Sequence, residues 1–310
     1  MVKKVIALFR TRRKIRHGSS IVDLCIYSLL LVMSLLFLFP AYQVLVISIS
    51  DPGAVYASKG FLLWPRGIHF EAYEVVLQNK NLLVGIKNAV VYMIVGVSLQ
   101  CLVTIMAAYS FSIKGLPGKK LLWVYFLITM YFSGGAIPLF LLISKLKMIN
   151  TIWALILPGA VNISNIIIMR TQFLTIPDSL KDAARIDGAN DITMLFRIML
   201  PLSAATSAVL VLFSMVIYWN MWYEPMIYMT KRSMYPIQSV LREILIDNAS
   251  VAYAGRGRAQ VKLTRSANRN SVQLLIKYAI IVVTTAPILI IYPFVQKHFV
   301  KGVMIGSIKE

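Results

Sequence analysis

The sequence predicts an all-α integral membrane protein with six transmembrane helices, and three observations carry that expectation. Hydrophobic residues make up 58% of the 310, mean hydropathy is +0.74 and only 14% are charged, a balance too apolar for an ordinary soluble domain. Windows of roughly 20 apolar residues, enough helix to cross a ~30 Å hydrocarbon core, can be drawn six times. Between them no stretch is long enough to bury a core of its own.

The first window, 21–49, follows a basic arm at 1–20 with Lys3, Lys4, Arg10, Arg12, Arg13, Lys14 and Arg16, which the positive-inside rule holds in the cytoplasm. It is longer than a signal-peptide core and shows no small-residue cleavage site, so it reads as a retained anchor. The second, 87–113, ends before Lys114, Lys119 and Lys120, placed inside by the alternation. The third, 121–144, contains Phe132-Ser133-Gly134-Gly135-Ala136-Ile137-Pro138, where paired Gly and a following Pro permit a kink or a close helix approach. The fourth spans 153–173, the fifth 202–228 and the sixth 274–296, and six crossings return the tail at 299–310 to the cytoplasm with Lys301 and Lys309. The transmembrane domain is thus 21–298.

Uncharged polar and aromatic residues are the available lining. Tyr218, Trp219, Asn220 and Trp222 on the fifth span suit stacking and hydrogen bonding to hydroxyls, or an interfacial aromatic belt. Gln100, Asn162 and Asn165 fit the same path or a bond to a neighbouring helix. Glu224 marks the outer end of span five and meets ligand or water. The central parts of the spans carry almost no ionisable groups, which argues against an ion- or proton-coupled carrier or channel, the alternative reading of six spans. Cys25 and Cys101 read as packing residues, and His17, His69 and His298 are too scattered for a metal site. No phosphate loop and no cluster of catalytic acids or bases is present, so the chain is read as neither an ATPase nor an enzyme.

Net charge is +20, partly from an outer loop at 231–272 that contains Arg256, Arg258, Lys262 and Arg265. Its charge opposes the simple topology rule, which counts long loops less. It is either a solvated basic surface or a docking face for an acidic partner or anionic ligand; nucleic acid is a poor third choice, given its outward side, Gly255 and Gly257, and its lack of interleaved aromatics from Arg256 to Arg269.

Most informative is the polar interruption at 177–201. Pro177 with Asp178 or Ser179 starts a first helix, Gly188 ends it, Asn190 or Asp191 caps a second, and Pro201 closes the unit. Ile192, Leu195, Phe196 and Met199 fall at i, i+3, i+4 and i+7, a one-sided apolar stripe that needs a groove. Asp182-Ala183-Ala184, Asp187-Gly188-Ala189, Phe196, Ile198 and Leu200-Pro201 resemble the EAA loop of ABC-importer permeases, closest to the carbohydrate group of the maltose permease subunits. Asp182 stands where Glu is usual, and Ala204-Ala205 where Lys-Pro is common. Together with Trp219-Asn220, the 132–138 string, Tyr292-Pro293-Phe294 and the start of the tail, the chain looks like the subgroup for complex or uronic-acid-containing oligosaccharides.

That resemblance implies the type I importer permease fold, with the loop acting as a coupling helix in a cleft of the ATPase. Ala183 and Ala184 would allow close approach, Gly188 would supply the turn, Asp182, Arg185 and Asp187 would make polar contacts, and Ala189 would belong to the same coupling surface. It implies a second permease subunit, mostly in a heterodimer, and two ATP-binding subunits that hold ATP and Mg, with no cofactor or metal in this chain. It further implies an extracellular lipid-anchored sugar-binding protein and a multi-pass place in a bacterial cell membrane. In such relatives the loop before the last span reaches the binding protein, and the tail touches the ATPase pair; a frayed terminus is the plain reading of the latter.

Overall fold

The longest helix begins at a cap. Asn79 accepts hydrogen bonds from the amides of Asn81 and Leu82, and the 33 residues Lys80–Ser112 follow without a break. In the computed structural model, which describes residues 20–58, 62–246 and 274–290, every regular element is helical. In chain order these are α1 (Ser20–Ser48), α2 (Pro52–Ala57), α3 (Glu71–Gln78), α4 (Lys80–Ser112), α5 (Lys119–Tyr131), α6 (Ala136–Lys145) and α7 (Trp153–Ile156). Then come α8 (Ile163–Leu174), α9 (Asp178–Ile186), α10 (Asp191–Leu202), α11 (Ala204–Trp219), α12 (Tyr223–Tyr228), α13 (Ile237–Ile246) and α14 (Leu274–Ile290).

The first two predicted spans are single helices, α1 and α4, with α4 beginning at Lys80 rather than at 87. The third is a broken pair: α5 and α6 meet at 114° across Phe132–Gly135, where Gly135 has φ +87°. A Cβ on Gly135 would meet nothing within 4 Å, so its conformational freedom makes the corner and close packing does not.

The fourth span corrects the expectation of one continuous helix. Pro158 and Gly159 interrupt it, α7 stops at Ile156, and Asn162 starts α8 by accepting from the Asn165 amide. The fifth is likewise interrupted: α11 stops at Trp219 and α12 is a separate short helix. Among the described residues two helices, α1 and α4, are long and apolar enough to cross a membrane, or four spans if the bent pairs α5–α6 and α10–α11 each count as one. The described part of the sixth window is α14.

Helix α4 organises the packing. Gly85, Ala89, Tyr92, Met93, Gly96 and Gln100 are buried along one face of it. The closest approach is at Gly96, where a Cβ would stand 2.4 Å from the Tyr218 ring of α11. A first core joins α4 to the end of α1, to α11, α13 and α14, with Trp219 donating from its indole to the Thr284 carbonyl at 3.3 Å. A second core gathers Ala108 and Phe111 of α4, Ile166, Met169 and Phe173 of α8 and Leu210 of α11 around residues of the 177–201 interruption. Most of α1 buries nothing: the apolar span Val22–Ser48 has mean hydropathy 2.4 and its most apolar window is 0% buried.

The basic arm at 1–19, most of the outer loop including Arg256, Arg258, Lys262 and Arg265, the Tyr292-Pro293-Phe294 string and the 299–310 tail lie outside the described residues.

Candidate functional site

Pro177 sits just before α9 with φ −57°, and Asp178 occupies the first turn, where the helix dipole favours a carboxylate. The helix ends in a Schellman motif. The Gly188 amide donates to the Arg185 carbonyl at 3.0 Å, the Ala189 amide donates to the Ala184 carbonyl at 2.9 Å, and Gly188 has φ +81°. A Cβ on Gly188 would meet nothing within 4 Å, so only its backbone geometry demands glycine. Asn190 then caps α10, accepting from the Thr193 amide at 2.8 Å.

Two polar ties hold this loop to the long helix and its end. Tyr109 of α4 donates to the Asp191 carboxylate at 2.8 Å. Lys114, just beyond α4, donates to Asp178 at 2.5 Å, and Lys181 reaches the same carboxylate at 3.2 Å. Both lysines hold the Asp178 carboxyl below its ordinary value of 3.8, and Asp178 in turn raises Lys114. Behind the loop lies a cavity of about 220 Å³ lined by Tyr109, Lys114, Asp178, Lys181, Asp182 and Arg185 among others.

Helix α10 departs from the predicted stripe. Its middle, Met194–Met199, has π register, with the Leu200 amide bonded to the Leu195 carbonyl. Residues i, i+1 and i+5 then share a face, so Met194, Leu195 and Met199 are buried while Ile192 is 69% and Phe196 43% exposed. Pro201 does not close the unit: it lies inside the helical run, which ends at Ser203 with an 86° turn into α11. Ala184 is also turned inward, packed in the second core, whereas Ala183, Asp182, Arg185, Asp187 and Gly188 are exposed and Ala189 is half-buried. With Ile186 at 86% exposure, Ile192 and Phe196, the loop presents apolar side chains among charges, the composition of a surface that docks a partner.

The candidate path residues do not gather into one lining. Gln100 is buried and donates to the Gly159 carbonyl at 2.7 Å, supplying a bond to backbone freed by the break between α7 and α8. Asn162 caps α8, and Asn165 is buried beside it. Tyr218 and Trp219 are core residues, so neither ring is free to stack on a ligand in this conformation. Asn220, Trp222 and Glu224 are exposed at the break between α11 and α12.

Sequence reasoning missed Tyr109, the Lys114–Asp178 tie and the ring of Trp222 under Arg242 at 3.9 Å. These pairings join residues far apart in the chain, and periodicity is blind to them. The small residues Gly85, Ala89 and Gly96 at i, i+4 and i+11 were a readable sign of the close helix contact. Among the described residues no three His, Cys, Asp or Glu side chains are grouped to hold a metal ion.

No protein-family model matches the chain. It is 35% identical over 291 residues to the polygalacturonan/rhamnogalacturonan transport system permease protein YtcP of Bacillus subtilis, covering 93% of this chain and 98% of that one. It is 24% identical over 302 residues to the arabinooligosaccharides transport system permease protein AraQ of the same organism, 95% of this chain and 99% of that one. Its structure resembles, with a TM-score of 0.81 and 28% identity, a chain of a bacterial ABC transporter that imports the acidic polysaccharide alginate, covering 93% of this chain and 100% of that chain.

Proposed function

The chain belongs to the permease subunits of ABC transport systems, and from that premise we propose that it carries an oligosaccharide inward across a bacterial cell membrane. Six spans cross with both termini in the cytoplasm, the broken pairs counting as single crossings. A second, related permease chain completes the pathway, two subunits that bind ATP and Mg power it, and an extracellular lipid-anchored protein delivers the sugar. The transmembrane domain runs over 21–298, and the basic outer loop at 231–272 meets the binding protein through Arg256, Arg258, Lys262 and Arg265. The relatives are transport permeases rather than enzymes, and the work of this chain is mechanical.

The observation that carries the reading is the loop between α9 and α10. Its Schellman turn, its inward Ala184, Met194, Leu195 and Met199 and its outward Ala183, Ile186, Ile192 and Phe196 make one face a root and the other a plug. ATP-driven closure of the partner cleft pulls on the plug through Asp182, Arg185 and Asp187, and the root passes the displacement to α4, α8 and α11. Two packed states, biased by the differential binding of ATP, then alternate access to the path between the chains, to which Asn220, Trp222 and Glu224 contribute their exposed groups.

Mild-detergent purification of the tagged chain from its own membrane, with mass spectrometry of what accompanies it, tests the assembly. Recovery of an ATPase, a second permease and a binding protein, with ATP-dependent sugar uptake after reconstitution, is the expected result. A chain recovered alone that moves solute without ATP would establish the carrier alternative instead.

A further inference from the structure

Where α11 gives way to α12, an arginine lies over a tryptophan ring with no carboxylate beside it among the described residues. The Arg242 guanidinium of α13 lies 3.9 Å from the centre of the Trp222 ring, and its Nη1 donates to the Met226 sulfur at 3.0 Å. Ser239, one turn earlier on α13, donates to the Trp222 carbonyl at 3.1 Å and fixes the two elements together. Among the described residues no carboxylate comes within 4.0 Å of Arg242, and the adjacent Glu243 is paired with Arg232. Trp222 is 37% exposed and Tyr223, edge-on to it at 5.6 Å between centres, is 48% exposed.

The ring orients the guanidinium, and the Met226 sulfur, a weak acceptor on one corner, takes only Nη1, which leaves the Nε and Nη2 edge as a fork that matches a carboxylate in shape and charge. Beside it the Tyr223 ring offers an apolar face to a pyranose and its hydroxyl an edge to hydrogen-bond. We infer that Arg242, set on Trp222 and flanked by Tyr223, is a carboxylate-reading subsite for uronic-acid units of the oligosaccharide. The inference rests on the permease reading and deepens it by naming the side chain that reads the acidic group of the sugar. Trp222 positions the arginine, and Arg242 is the group that touches the sugar.

The test uses the assembled importer reconstituted with its own ATPase and binding proteins, taking up trigalacturonate or its fully methyl-esterified form. Arg242→Gln should lower uptake of the acid at limiting concentration about tenfold, the loss expected for one charge-assisted hydrogen bond, and leave the ester unchanged. Arg242→Lys, which keeps the charge without the fork, should fall between. Equal uptake of the acid by the Gln variant and the unaltered importer would overturn the subsite, as would an equal loss of acid and ester. Both outcomes leave the permease reading standing. That reading fails instead if the unaltered importer moves no oligosaccharide with ATP.

Discussion

Helix α1 and the loop from Asp178 to Met199 invert the usual relation between hydrophobicity and burial. The most apolar window of α1 is wholly unburied, yet the loop, interrupted by Asp178, Asp182, Arg185, Asp187 and Asp191, sends Ala184, Met194, Leu195 and Met199 into a core. In a bilayer the lipid is as apolar as leucine, so hydrophobicity places α1 in the membrane without choosing a protein neighbour for it. At the aqueous margin the ordinary rule returns, and a few apolar side chains suffice to seat a polar segment.

Truncating one side chain in each region should break the comparison open. Met199→Ala removes a side chain that is 1% exposed, and thermal unfolding in mild detergent should show about 2–5 kcal/mol of destabilisation. Tyr109→Phe deletes one part-buried tie to Asp191 and should cost about 1.5 kcal/mol, the lower end for a hydrogen bond to a charged group; a double-mutant cycle with Asp191→Asn tests whether the two effects share one bond. Gly188→Val forces a β-branched residue to φ +81° at about 1–2 kcal/mol, and ATP hydrolysis should continue while uptake falls about tenfold. Normal uptake in that variant would remove the turn from the coupling mechanism.

The Lys114–Asp178 tie is exposed and weaker, and pH exposes its sign. The carboxyl is held below 3.8 in the fold, so its contribution is present above that value and disappears as pH falls through the lowered one. Lys114 is raised above 10.5, so its side of the tie is complete below 10.5 and is lost as pH rises through the raised value. The melting difference between the unaltered chain and Lys114→Met should therefore be flat through neutrality and vanish on strong acidification. The smallest effect belongs to Leu36→Ala on α1: that side chain is 62% exposed, and unfolding in detergent should move by less than about 0.5 kcal/mol.

Much of the loop was legible in the chain because its signals are local. Pro177, Gly188 and Asn190 act through their own backbone or that of residues two to five positions away, and each stands where its chemistry requires. The kink at Gly134-Gly135 was legible for the same reason. The π register of α10 was not, since one widened turn leaves no mark on apolar spacing and yet moves Phe196 out and Met194 in. Nor was the break at Pro158-Gly159 given its weight in a long apolar run, where Gln100 from another helix supplies the missing bond. Tyr218 and Trp219 were read as a ligand lining or an interfacial belt because aromatic composition alone cannot distinguish either from a ring pressed against Gly96 or tied to Thr284.

The contact between Gly96 and Tyr218 limits how such a molecule can work. Two rods that touch backbone to ring could part only by opening a packed core, so α4 and α11 are expected to move together, as a single beam. A beam needs a bearing, and the 86° corner at Ser203, where α10 enters α11, is the place the fold offers one. A push on one end of the beam then becomes an opposite swing at the other, which is how a stroke delivered beneath Gly188 would reach the Trp222 end without any signal passing through the side chains between.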